Sequence, residues 1–196
     1  MTQIIATVSN LMTASVFATS TWLFVDALAI RVEIKSLLKA IGFLLLTCAF
    51  VLNLVPTFSA VFQNQLTFWV QSLGLWFLFA AFILDSHSKL QFLIVAAIPV
   101  LIFLRSHSLL AAQTFLIAIT IMQIAYHTKH KDLIPLITGF FLITIAEFFY
   151  SLEEQTMLGN LKTAADFLYI FASIVVFYWL WQYLVIRFNL QRKTAT

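Results

Sequence analysis

Charge, cysteine and chain-breaking residues are all scarce in this chain. Only 10% of its residues are charged, 62% are hydrophobic and the mean hydropathy is +1.00. A water-soluble domain of 196 residues cannot cover its surface with so few charges, so lipid must solvate it. A lone cysteine, Cys48, excludes an intrachain disulfide and a cysteine-based zinc site. With four glycines and three prolines there is no linker to divide the chain, and the expectation is one bundle domain over residues 1–196. The formal charge of +3 comes from basic residues set singly or in small groups between apolar runs, which argues against a nucleic-acid partner.

What the sequence does contain is apolar length. A helix needs ~20 apolar residues to cross the hydrocarbon layer. Runs of that order fall at about 9–30, 37–55, 64–84, 89–105, 108–126, 133–151 and 161–186. They are continuous rather than alternating, which selects helices over barrel strands. The expected fold is all-α, a polytopic integral-membrane bundle of about seven helices. The fourth run is the weakest, being short and carrying Pro99. No basic segment precedes the first run, so it is expected to be a retained span.

The connections predict orientation. With the N-terminus outside and the C-terminus inside, nine of the eleven basic residues face inward and only Arg105 and Lys162 face outward. Tyr178, Trp179, Trp181 and Tyr183 then fall where an inner aromatic belt is expected. The tail after Arg187 is expected to be too short for an effector domain.

Polar residues inside the spans are few enough to consider singly. Ser9, Thr13 and Ser20 recur at helical spacing and suit close helix packing. Asp26, about a turn from the inner boundary and five residues before Arg31, is a coupling candidate. Gln63, Asn64, Gln65, Thr67, Gln71 and Ser72 place hydrogen-bonding groups in the outer half of the third span, and Gln113 and Thr114 enter the fifth from the same side. An outer polar cavity is the expected result. His87, His127 and His130 fall in inner connections, where the spacing is too generic to predict a metal, and His107 falls in an outer turn. No cofactor is expected.

The sharpest signal is a repeated element. Thr144, Ala146, Glu147, Phe148 and Tyr150 recur in order as Thr163, Ala165, Asp166, Phe167 and Tyr169, nineteen residues later. Threonine, acid and tyrosine at intervals of three share one stripe of a helix. The two acids are expected at one depth in antiparallel spans, with Tyr150 level with Thr163 and Tyr169 level with Thr144. There the carboxylates could share a proton or hold a cation, and ionisable groups at such depth are by default functional candidates. Competing with this are a chance match among abundant Phe, Ala and Thr, and neutralisation of Asp166 by Lys162 one turn away.

The layout resembles microbial rhodopsins and seven-span receptors in topology, but the seventh span's lysine, Lys162, lies at its edge, so no retinal is expected. Membrane hydrolases of the alkaline ceramidase kind carry metal-binding histidines in or near the spans; none is read deep in a span here. Sugar transporters of three spans, a linker span and three spans share the counts but not the Pro-Gln signatures.

The favoured reading is a small carrier or channel-like protein of the plasma or an inner membrane. It binds a proton, cation or amine through Glu147, Asp166, Tyr150, Tyr169, Thr144, Thr163, Gln71 and Gln113, with no metal. Catalysis is left open but not favoured. The alternatives are a receptor-like module signalling through a membrane or cytosolic partner, and an assembly subunit without a ligand.

Overall fold

The computed structural model describes residues 2–55, 60–85, 104, 106–156 and 159–194. Among them are six α-helices: α1 (Thr2–Ile30), α2 (Ile34–Leu54), α3 (Ala60–Asp85), α4 (Ser106–Thr128), α5 (Ile134–Thr156) and α6 (Gly159–Thr194). A 3₁₀ turn, Lys131–Leu133, leads into α5. All six helices are long and apolar enough to cross a membrane. The expected span at 89–105 lies outside the described residues apart from Leu104.

The helices overrun the apolar stretches that announce them. α1 begins at Thr2 rather than near residue 9, and α5 continues to Thr156 rather than stopping near 151. Hydropathy locates the lipid-length portion, whereas polar residues such as Gln3 and Glu153 extend a helix into water at little cost. Sharper signals set some ends. Val55 precedes Pro56 and is extended, with φ −113° and ψ 106°, as the clash with a proline ring demands. The carbonyls freed there are capped by Gln63, whose Nε2 donates to the Leu52 oxygen and, at 3.2 Å, to the Val55 oxygen. Past the end of α4, Lys129 adopts the left-handed conformation at φ 58°, a common way to stop a helix.

Each helix packs against its neighbours in sequence, and α1 closes on α6, so the six form a ring. Most sequential neighbours run antiparallel; α3 and α4 do not. Asn64 near the start of α3 and Ser106 at the start of α4 line one cavity, whereas Asp85 at the end of α3 pairs with Lys35 in the first turn of α2 at 2.9 Å. We call these the cavity end and the opposite end. At the opposite end Asp85 also pairs with Lys39, whose ammonium lies 5.6 Å from the Phe24 ring centre and 4.9 Å from that of Phe82.

Burial is inverted relative to a soluble protein. Ser20, Thr114, Thr120, Glu147 and Asp166 are buried, while Trp22, Trp69, Phe171, Phe177 and Trp181 are more than half exposed. This is the arrangement lipid selects, because a polar group facing hydrocarbon has no partner. Small residues then bring helices close. A Cβ on Gly74 would lie 2.9 Å from the Gly42 oxygen, so the α2–α3 crossing admits only glycine at that point. On α1, Ser9, Thr13 and Ser20 are buried as packing residues, and the Thr13 and Ser173 hydroxyls join α1 to α6 at 3.0 Å.

Candidate functional site

α5 and α6 run antiparallel, and on each the acid and the tyrosine three residues later share a stripe. Going forward along α5 leads toward the cavity end; going forward along α6 leads away from it. The two tyrosines therefore diverge in depth, and each reaches across to the acid of the other helix. The Tyr150 hydroxyl donates to Asp166 Oδ1 at 2.5 Å, and the Tyr169 hydroxyl donates to Glu147 Oε1.

The acids are not equivalent. Glu147 is 1% exposed and Asp166 4%, and they differ in their partners. Besides Tyr169, the Oε1 of Glu147 accepts from Gln71 Nε2 at 2.9 Å, and its Oε2 lies 2.5 Å from His107 Nδ1. Partners from α3, α4 and α6 thus converge on this one side chain of α5. Asp166 takes its hydroxyl bond from Tyr150 and lines the cavity, with Lys162 one turn before it on the same wall. Among the described residues no hydrogen bond joins the two carboxylates directly. They are linked through rings: His107 stacks on Tyr150 at 4.9 Å, and Tyr150 lies 6.3 Å from Tyr169.

The cavity has a volume of about 480 Å³ and is reached from the cavity end. One wall, from α1 to α3, is neutral: Asn10, Asn53, Asn64, Thr67, Phe68 and Gln71. The other, from α4 to α6, carries charge: His107, Tyr150, Glu153, Glu154, Lys162 and Asp166. Below Gln71 and Tyr169 the described residues leave little space. The void there, between Phe17, Phe50, Leu75 and Phe140, is about 10 Å³, room for one water at most.

His107 is the residue that sequence reasoning misplaced. Rather than sitting in an outer turn, it is the second residue of α4, with its side chain 32% exposed, between the cavity and Glu147. Its Nε2 lies 3.9 Å from Glu154 Oε1. The start of α4 is tied to the end of α5 on either side of it: Ser106, left-handed at φ 54°, bonds Glu154 at 2.7 Å, and Ser108 lies 2.5 Å from Ser151. A signal was present in the sequence, since His107 opens an apolar run at the same end as the acids, but no spacing rule connects positions forty residues apart.

The remaining candidates divide. Gln71 joins the cluster, whereas Gln113 donates to Ser72 at 2.9 Å, is buried and does not line the cavity. Thr144 donates to the Phe140 carbonyl and lies 3.1 Å from Thr114, and among the described residues neither Thr144 nor Thr163 has a hydrogen bond to either acid. The bonds across the α5–α6 interface run from each tyrosine to the acid of the other helix, the phenol being long enough to span it. Asp26 is half-buried toward the opposite end of α1. His127 and His130 are exposed at that end, His130 lying 3.3 Å from Asp132, and His87 lies outside the described residues. Comparison of the chain with protein-family models, with curated proteins and with solved structures finds no match.

Proposed function

We propose that this chain is a small multi-pass membrane carrier that takes up a cation or amine at Asp166 and couples it to a proton on the His107 and Glu147 pair. The observation that carries this reading is the charge of the cavity: among the described residues that line it, Glu153, Glu154 and Asp166 stand against a single lysine, Lys162. A low-dielectric, acid-rich recess concentrates cations. His107, with Nδ1 on Glu147 and Nε2 toward Glu154, is placed to pass a proton between cavity water and the buried acid. The scarcity of space below Gln71 and Tyr169 fits one state of an alternating-access cycle. It also favours a second reading, a receptor-like module that holds a ligand without passing it.

Seven crossings with the N-terminus outside belong to this proposal. The parallel course of α3 and α4 supports the count, and the nine-to-two division of basic residues supports the orientation. The cavity then opens outward.

Flux in proteoliposomes is the test. Uptake of an organic amine driven by an imposed pH gradient, lost in Asp166→Asn, supports the carrier. Saturable amine binding with no flux under any gradient selects the receptor-like module. Absence of both sinks the proposal.

A further inference from the structure

The neutral wall of the cavity holds hydrogen-bonding capacity that the protein does not use. Thr67 is 6% exposed, its hydroxyl has no partner among the described residues, and it lines the cavity. This departs from the habit of the chain. Thr13, Thr47, Thr114, Thr120 and Thr144 each give their hydroxyl proton to the carbonyl four residues back, as hydroxyls in membrane helices ordinarily do. A buried hydroxyl left without a partner is costly, and of the three side chains with such a buried polar atom among the described residues, Thr67, Gln113 and Gln123, Thr67 is the one that lines the cavity. Above it on the same wall stand the amides of Asn10, Asn53 and Asn64, none of which bonds another side chain among the described residues. Across the cavity stand the carboxyl groups of Asp166 and Glu153, while the Tyr150 hydroxyl is already committed to Asp166.

From these two unlike walls we infer that the occupant is a hydroxylated amine, a molecule of amino-sugar type with its ammonium on Asp166 and several hydroxyls on the α1 to α3 wall. A simple alkyl or cyclic amine satisfies Asp166 and leaves Thr67 and the amides without partners. A neutral sugar does the reverse. The volume of about 480 Å³ admits a six-membered ring with its substituents and some water. A site built to bond hydroxyls discriminates strongly against an analogue that lacks them. This inference rests on the reading of the cavity as an amine site, and the experiment separates the two.

Full-length protein in lipid nanodiscs is titrated calorimetrically with glucosamine, cyclohexylamine and glucose, alongside the Thr67→Val and Asn64→Ala variants. Glucosamine should bind at least tenfold more tightly than either other probe. Thr67→Val, which keeps shape and removes an unpaired hydroxyl, should leave thermal stability unchanged or raised while weakening glucosamine by about tenfold, the worth of one hydrogen bond, with cyclohexylamine unaffected. Asn64→Ala, at the exposed rim, should weaken glucosamine in the same selective way. If cyclohexylamine binds as well as glucosamine, or if both variants retain the full preference, the hydroxylated-amine inference is overturned and the amine site stands. If neither amine binds, or glucose binds as tightly as glucosamine, the amine site itself is overturned.

Discussion

Tyr150 on α5 donates to Asp166 on α6 at 2.5 Å, and this bond ties the acid on the cavity wall to the helix that carries Glu147. Its counterpart from Tyr169 to Glu147 lies deeper, so two similar sequence elements make two different environments. Phenylalanine substitutions should separate them. Tyr150→Phe frees an oxygen at the cavity wall and should alter amine affinity with a small change in stability. Tyr169→Phe leaves Glu147 short of a donor in the buried cluster and should cost about 1–3 kcal/mol of stability. Thermal unfolding in detergent, read beside amine titration, checks both; equal stability losses would contradict the assignment of depth.

The amide variants of the acids follow the same division. Asp166→Asn should abolish amine binding and leave the bundle folded. Glu147→Gln should remove proton coupling, because the amide keeps hydrogen-bonding capacity but carries no transferable proton. Since Glu147 and His107 share one bond at 2.5 Å, a cycle of Glu147→Gln and His107→Ala should be strongly non-additive in pH-driven uptake, the double variant little worse than the worse single one. Simple addition of the two losses would show that His107 acts independently of Glu147.

Helix crossing at Gly42 and Gly74 provides a prediction remote from the site. Gly74→Ala drives a methyl to within 2.9 Å of a backbone oxygen, which cannot rotate away. The α2–α3 pair must separate, at a cost of about 1–3 kcal/mol. Reduced unfolding temperature with amine specificity preserved is the expected outcome. Unchanged stability would place the crossing elsewhere.

Orientation can be read chemically. In a Cys48→Ser background, an impermeant thiol reagent applied to intact cells should label Thr2→Cys and spare Thr194→Cys. The opposite labelling pattern would invert the topology, and with it the side from which the cavity is reached.

Solvation by lipid, the helical class and the rough positions of six helices were legible in the sequence. They follow from local quantities: the length of an apolar run, the shortage of charge, and the residue before Pro56. Repetition of Thr, acid and Tyr also marked α5 and α6 as the pair to watch, because helical periodicity alone puts those residues on one stripe. Which partner each residue takes is not local. His107 meets Glu147 only because the α4 start is laid against the end of α5, and Gln71 meets it only because the ring brings α3 to the same interior. Tertiary structure likewise gave one acid three partners and set the other on the cavity wall, since antiparallel helices send Tyr150 and Tyr169 to different depths. It left Thr67 as a buried hydroxyl without a partner among the described residues, while Gln63 and Gln71, one turn to either side, found theirs. Periodicity assigns a face to every residue, but what stands opposite that face is settled by packing between distant helices.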